Sequence, residues 1–274
     1  MSKEVLAFSR NNEASVRLYL QHWMCQYETG FILHPAIPTD KKDLKILDVA
    51  CGTGIWLVDL SRSLPEAQLD GFDISDSHFP SKSELPENVK LFTHDALKPP
   101  TEDISGKYDV VHVGRINLFI RNEDPAPLLQ NFMKMLKPGG YLHWDELDVG
   151  GMHTSIEKPY ATEMNRFGKS WLESQGCTSQ WVSGMTELFE SHNLKVHDYR
   201  RVPIRNHMAK PWTEMQIMAN RDFVEHDVIP STQGNPNLPS ADRWREMLRG
   251  VEKEAQGGLR ILMDIVYIVG QKAE

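Results

Sequence analysis

A chain of 274 residues with 40% hydrophobic and 25% charged residues can bury a sizeable core, and it reads as one domain with elaborations. Its net charge of −8 opposes a nucleic-acid partner, which calls for a basic face. The longest apolar run (Ile261 to Val269) is broken by Asp264 and too short to span a bilayer, no basic-then-apolar leader opens the chain, and Cys25, Cys51 and Cys177 have neither disulfide nor zinc spacing, so a reduced, cytoplasmic location away from membranes is expected.

Asn11 to Thr29 reads as a helix, with Asn11 or Asn12 as cap, Glu13 in the first turn and Gly30 at its end. Its apolar and aromatic positions spread wider than one stripe. That suits plain packing, and it also suits a lid on which Tyr19 or Trp23 meets a ligand. His34-Pro35-Ala36-Ile37-Pro38 is a stiff connection to the first strand. Residues 1–44 are therefore read as a helical cap and 45–274 as the main domain.

Lys45 to Val49 is a short apolar strand, Cys51-Gly52-Thr53-Gly54 a tight loop, and Ile55 to Arg62 a helix that Pro65 stops. A strand, a glycine turn and a helix make a nucleotide-binding corner, because glycine lets backbone approach a ligand closely. The expected third glycine of a dinucleotide site is Leu57, and no Lys-Ser/Thr pair makes this a P-loop. Asp48 stands before the glycines, where a carboxylate repels phosphate and suits an ammonium group.

Gln68 to Ile74 is the second strand. Asp73 at its tip lies 19 residues beyond Gly54, the spacing at which an acid meets a ribose, although Asp also favours a helix N-cap there. Val89 to His94 is the third strand, followed by Asp95-Ala96, and Tyr108 to Val113 is the fourth, followed by Gly114-Arg115 at its carboxyl end. His112, inside that strand, reads as a satisfied core histidine. Asp124-Pro125 starts a helix that runs to Lys137, Pro138-Gly139-Gly140 ends it, and Tyr141 to Asp145 is strand five.

Asp48-x-x-Cys51-Gly52-Thr53-Gly54, with the later Leu136-Lys-Pro-Gly-Gly-Tyr-Leu-His-Trp-Asp-Glu146, resembles class I S-adenosylmethionine-dependent methyltransferases, in particular the fungal secondary-metabolism group of gliotoxin-type N-methyltransferases. The resemblance covers 45 to 148 and implies an α/β, Rossmann-like fold. Its seven-stranded, mostly parallel sheet has the order 3-2-1-4-5-7-6, strand seven antiparallel, with helices on both faces and added helical lids. It implies that Gly52 and Gly54 pass the methionine part of the cofactor, that Asp48 lies beneath its amino group, and that Asp95 accepts from the adenine amino group. Ala50, Cys51, Thr53, Ile74, His94, Ala96, Val113, Gly114 and Arg115 complete the expected cofactor contacts.

Beyond Asp148, Pro159 to Ser174 and Trp181 to His192 read as helices, Leu194 to Arg201 as strand six and Arg260 to Val269 as strand seven. Residues 152–192 and 202–258 are read as substrate-side additions. The second holds helical stretches around Trp212 to His226 and Arg243 to Gln256, separated by the loop Pro230 to Pro239, and offers a lid or a homodimer contact.

The implied reaction moves a methyl group from S-adenosylmethionine to an O or N atom of a small, natural-product-like acceptor and leaves S-adenosylhomocysteine. His153, in a Gly-Gly-Met-His turn past strand five, is the first candidate base and Glu146 the second, each against the plainer reading of a surface histidine or a loop cap. His207 and His226 are undistinguished alternatives. Asp145, Glu146 and Asp148 invite a magnesium reading, but acids at a strand end are more often caps, and no metal is expected. A cofactor-binding cyclase without methyl transfer and a non-catalytic regulator of secondary metabolism stay open. A nicotinamide dehydrogenase is the weakest reading, since Leu57 and Asp48 oppose it.

Overall fold

The computed structural model describes residues 9–232, 235 and 237–274; the first eight residues of the expected cap and positions 233, 234 and 236 of the expected loop lie outside the described residues. Helix α1 (Asn12–Thr29) begins where the Asn11 side chain accepts from Ala14 N, and it ends at Gly30, whose φ of 85° a side chain would resist. Then follow β1 (Lys45–Val49), α2 (Ile55–Ser61), β2 (Gln68–Asp73), β3 (Val89–Thr93), β4 (Tyr108–Gly114), α3 (Ala126–Met135) and β5 (Leu136–Leu147). Helices α4 (Pro159–Ser174) and α5 (Met185–Ser191), β6 (Leu194–Pro203), α6 (Ala209–Phe223), α7 (Ala241–Gln256) and β7 (Asp264–Lys272) complete the frame.

The main sheet has the order β3-β2-β1-β4-β5-β7-β6; its first five strands are parallel and β7 runs antiparallel to both neighbours. This is the expected Rossmann-like sheet. One face buries Leu47, Val111, Phe132, Trp144, Phe189 and Ile268 beneath α3 and α5. The other buries Ile46, Trp56, Leu57, Leu60 and Val110 beneath α2.

Several boundaries differ from the sequence reading, three of them at the carboxyl half of the sheet and the helix before it. Strand β5 starts at Leu136 rather than Tyr141, because Pro138-Gly139-Gly140 is taken up as an irregularity between the Tyr108–Leu136 and Val110–Tyr141 pairs. Pro125 occupies the cap of α3, and Asp124 Oδ1 accepts from Ala126 N just before it. The expected strand 260–269 splits: Ile261–Leu262 pairs with His153–Thr154 in a small separate sheet, and β7 starts at Asp264.

The added helices form a second core. Trp171 from α4, Ile217 from α6, and Trp244 and Met247 from α7 pack together with Leu259 and Ile261. A further cluster joins α1 to this layer through Met24, Cys25, Trp212, Met215 and Met263. No described helix is long and apolar enough to cross a membrane.

Candidate active site

The carboxyl ends of β1, β2 and β4 meet at the glycine corner. Cys51 N donates to Phe72 O, and Gly54 N to Cys51 O, so the loop folds back over β2. Ala50, Gly52 and Gly54 have φ of 55°, 56° and 72°, the left-handed conformation that lets successive N–H groups converge. Asp73 Oδ2 accepts from Gly52 N at 3.0 Å and Oδ1 from Ser75 N at 3.3 Å. Each oxygen keeps a second lone pair, so the carboxylate can hold the loop and still accept from a diol. Thr53 is buried and its Oγ1 accepts from Ile55 N at 3.4 Å.

Around the corner, Ile74 is 65% exposed at the tip of β2. His94 N donates to Asp73 O, its ring meets Phe72 edge-on with centroids 5.0 Å apart, and its Nε2 is buried without a partner. Asp95 Oδ1 accepts from Leu97 N, and Ala96 O accepts from Asn131, which pins the loop after β3 to α3. The Val113 side chain lies in the core beneath α3, so this expected contact can reach a ligand only through backbone. Its neighbour Gly114 pairs with Asp145 at the open end of the sheet.

A row of buried polar groups crosses β1, β4 and β5 in register, with Asp48 beside His112 and His112 beside His143. His112 Nδ1 lies 2.7 Å from Asp48 Oδ1 and its Nε2 3.4 Å from Asp145 Oδ2. Trp56 stacks flat on His112, with centroids 3.9 Å apart and planes at 1°. Burial alone would lower the His112 pKa, but Asp48 and Asp145 outweigh it and raise it. Burial likewise opposes the Asp145 charge, yet His143 and His112 hold its carboxyl well below the usual range. His143 Nε2 is 3.0 Å from Asp145 Oδ1 without hydrogen-bond alignment, and burial pushes this imidazole toward its neutral form. His112, His143 and Asp145 have the composition of a metal triad, with ligand atoms within 4.8 Å of one another. The Arg115 guanidinium, 3.8 Å from Asp145 Oδ2, opposes a divalent ion there.

Arg115 sits at φ 60°, donates its N–H to Asp145 O, and its guanidinium lies against Cys25 of α1. The next turn is fixed by Glu146, which is fully buried and accepts from Ile116 N, Asn117 N and Trp144 Nε1. Burial raises the Glu146 pKa to about 7 against these donors. These three donors take three of its four lone-pair sites, and through them Glu146 holds the Arg115–Asn117 turn. His153 is exposed on the two-residue strand of the small sheet, with Nδ1 3.1 Å from Gly151 O, and among the described residues no hydrogen bond joins it to the residues above. Asp148 pairs with Arg201 instead of completing an acid cluster.

Helix α1 covers the corner with an unexpected face. Its buried positions include Arg17, Gln21, His22 and Glu28, whereas Trp23 and Tyr27 are half exposed. Trp23 lies 6.1 Å from the half-buried Tyr19 ring, and Leu18 is the side chain that a Cβ at Gly52 would meet. Sequence reasoning passed over this polar face and over His143. In β5 alternation is a signal that finds His143, since His143 and Asp145 stand two apart between Leu142 and Trp144; β4 gives no such signal, with Asp109 and His112 three apart.

A methyltransferase domain family matches residues 46–140. The chain is 34% identical over 157 residues to the methyltransferase grgD of Penicillium sp, covering 54% of each chain. It is 29% identical over 175 residues to the N-methyltransferase verN of Clonostachys rogersoniana, covering 63% of this chain and 61% of that one. These alignments span little more than half the length of the curated relatives. Among solved structures, Haemonchus contortus phosphoethanolamine N-methyltransferase 2 in complex with S-adenosyl-L-methionine aligns with TM-score 0.55 at 15% identity, over 95% of this chain and 57% of that one, a likeness of fold.

Proposed function

Since the chain belongs to the class I methyltransferases of fungal secondary-metabolism type, we propose that it transfers the methyl group of S-adenosylmethionine to a nitrogen of a small-molecule acceptor. The observation that carries this reading is the pair of carboxylates flanking the glycine loop, Asp48 on β1 and Asp73 on β2, the latter hydrogen-bonded to Gly52 N. A carboxylate at Asp48 opposes a phosphate, and one at Asp73 suits a ribose, so a ligand with an ammonium and a ribose diol uses both. The verN likeness favours nitrogen over oxygen as the acceptor atom.

When bound, the sulfonium supplies an activated methyl group and loses its positive charge in an in-line displacement. This chain's residues hold and dehydrate the reactants. Asp73 and the 94–96 loop bind adenosine, Asp48 takes the ammonium, and α1 closes the site with its polar face inward. Orientation of this kind contributes roughly 7–11 kcal/mol to such a reaction. A neutral amine attacks without prior deprotonation and releases its proton to solvent after transfer, so an acceptor of that kind asks for no base, whereas an amide or a protonated amine would. Glu146 then acts as a positioning residue through the Arg115–Asn117 turn.

Calorimetric titration with S-adenosylmethionine and S-adenosylhomocysteine tests the donor site. Binding by the wild type that is lost in Asp73→Ala supports it; no binding of either ligand by folded wild type sinks it. Mass spectrometry on candidate amines then tests transfer, and a changed but unmethylated product would reassign the chain as a cyclase.

A further inference from the structure

We propose that His112 is a positioning residue that holds the Asp48 carboxylate in place for the ammonium end of the donor, an inference that rests on the donor-site reading above. The Asp48 side chain is almost completely buried, and its Oδ1 is 2.7 Å from His112 Nδ1. No Lys or Arg forms an ion pair with it among the described residues. A buried carboxylate without such support would lose its orientation or its charge, and either would weaken capture of an ammonium group.

His112 is itself fixed from three sides. Trp56 stacks on one ring face and is anchored through Nε1 to Ile32 O at 3.2 Å. Asp145 stands 3.4 Å from Nε2, at the far end of the ring from Asp48. A neutral imidazole could donate to one of these carboxylates only, so a ring lying between both satisfies them best as the imidazolium. The raised His112 pKa agrees with that bridge. Asp145 is in turn 3.8 Å from Arg115 and 3.0 Å from His143, so the row passes from the donor pocket on β1 to the turn after β4.

This arrangement acts on one half of the donor. The adenosine half meets Asp73 and the loop after β3, which among the described residues share no hydrogen bond or ring contact with His112. The amino-acid half meets Asp48. S-adenosylhomocysteine carries both halves; 5′-methylthioadenosine carries the nucleoside and thioether without the amino acid. The two ligands therefore separate positioning from general damage to the fold.

Two substitutions divide the ring's two bonds. In His112→Asn the amide nitrogen falls near the place of Nδ1 and keeps Asp48. In His112→Gln it falls near Nε2, keeps Asp145 and releases Asp48. By calorimetric titration, His112→Gln is expected to bind S-adenosylhomocysteine about tenfold or more weakly, the scale of a lost hydrogen bond to a charged group, and 5′-methylthioadenosine as the wild type does. His112→Asn should restore most of the S-adenosylhomocysteine affinity. The proposal is overturned if His112→Gln binds both ligands like the wild type, or weakens both alike. Wild type that binds neither ligand overturns the donor site itself, and this inference with it. Nuclear magnetic resonance of the folded wild type gives the same decision without substitution: the His112 imidazole N–H signals should move with S-adenosylhomocysteine and stay with 5′-methylthioadenosine, and signals that ignore both overturn it.

Discussion

Arg205 donates through Nε to Glu28 Oε2 at 2.6 Å, joining the end of α1 to the segment before α6 across 177 positions. Arg205 N adds a bond to Glu28 Oε1, and its NH2 donates to Tyr27 O. Glu28 is fully enclosed while the guanidinium is half exposed, so removal of the acid leaves an arginine that water can solvate. Glu28→Ala should therefore cost only about 1–2 kcal/mol in urea unfolding. Because the pair anchors the cover over the glycine corner, S-adenosylhomocysteine affinity should fall as well. Unchanged affinity would separate α1 from the site.

Gly52 and Gly54 fail in different ways. A Cβ at Gly52 would meet only Leu18, at an ordinary 3.5 Å, whereas one at Gly54 would fall 2.7 Å from Leu91. Both have left-handed φ, which costs an alanine about 1 kcal/mol. Gly52→Ala should keep the fold with a small loss of stability and weaken donor binding, because the added methyl stands where the ligand passes. Gly54→Ala should lose about 2–4 kcal/mol, as overpacking adds to strain. Thermal unfolding beside calorimetry checks both, and equal stability losses would refute the contrast.

Glu146 gives stability a pH dependence of known sign. Its folded pKa is raised from 4.5 to about 7, so the fold favours the protonated acid. Below pH 4.5 both states are protonated; as pH rises toward 7 the unfolded chain releases its proton first and stability falls. The full shift corresponds to about 3 kcal/mol, lost between pH 4.5 and 7 and level above. Urea midpoints measured across this window in wild type and Glu146→Gln test it. The variant should lack that part of the slope, and identical profiles would show that Glu146 does not titrate there.

The sheet was legible because its strands are short apolar runs between glycine, proline and acidic turns, and helix α1 because Asn11 and Gly30 mark its ends. Pairing across β4 and β5 was harder to read. Pro138-Gly139-Gly140 carries every local sign of a turn, yet the parallel partner Tyr108 draws Leu136 into the sheet. The glycine corner and Asp73 were visible as spacing. The contact between His112 and Asp48 was not, since it depends on the register of strands 64 positions apart. His153 and Trp23 read as site residues from residue type and place alone; both are exposed, while helix α1 buries Arg17, Gln21 and His22, a difference that local sequence does not carry.

Gly250 marks the contact between α4 and α7, the helices that build the second core. It lies in the interior of α7, where Ala would ordinarily stabilise by about 1 kcal/mol. Here a Cβ would fall 2.1 Å from Tyr160 Cγ and 2.4 Å from Cδ2, with the ring face against the helix. Tyr160 cannot withdraw freely, because its N–H donates to Glu254 Oε1 and its hydroxyl to Glu246. Gly250→Ala should therefore destabilise by about 1–3 kcal/mol despite its propensity gain, through forced separation of α4 from α7. The double variant with Tyr160→Ala, which removes the obstructing ring, should cost less than the sum of the two single changes. A stabilised Gly250→Ala, or strict additivity, would mean that the two helices do not meet at this glycine.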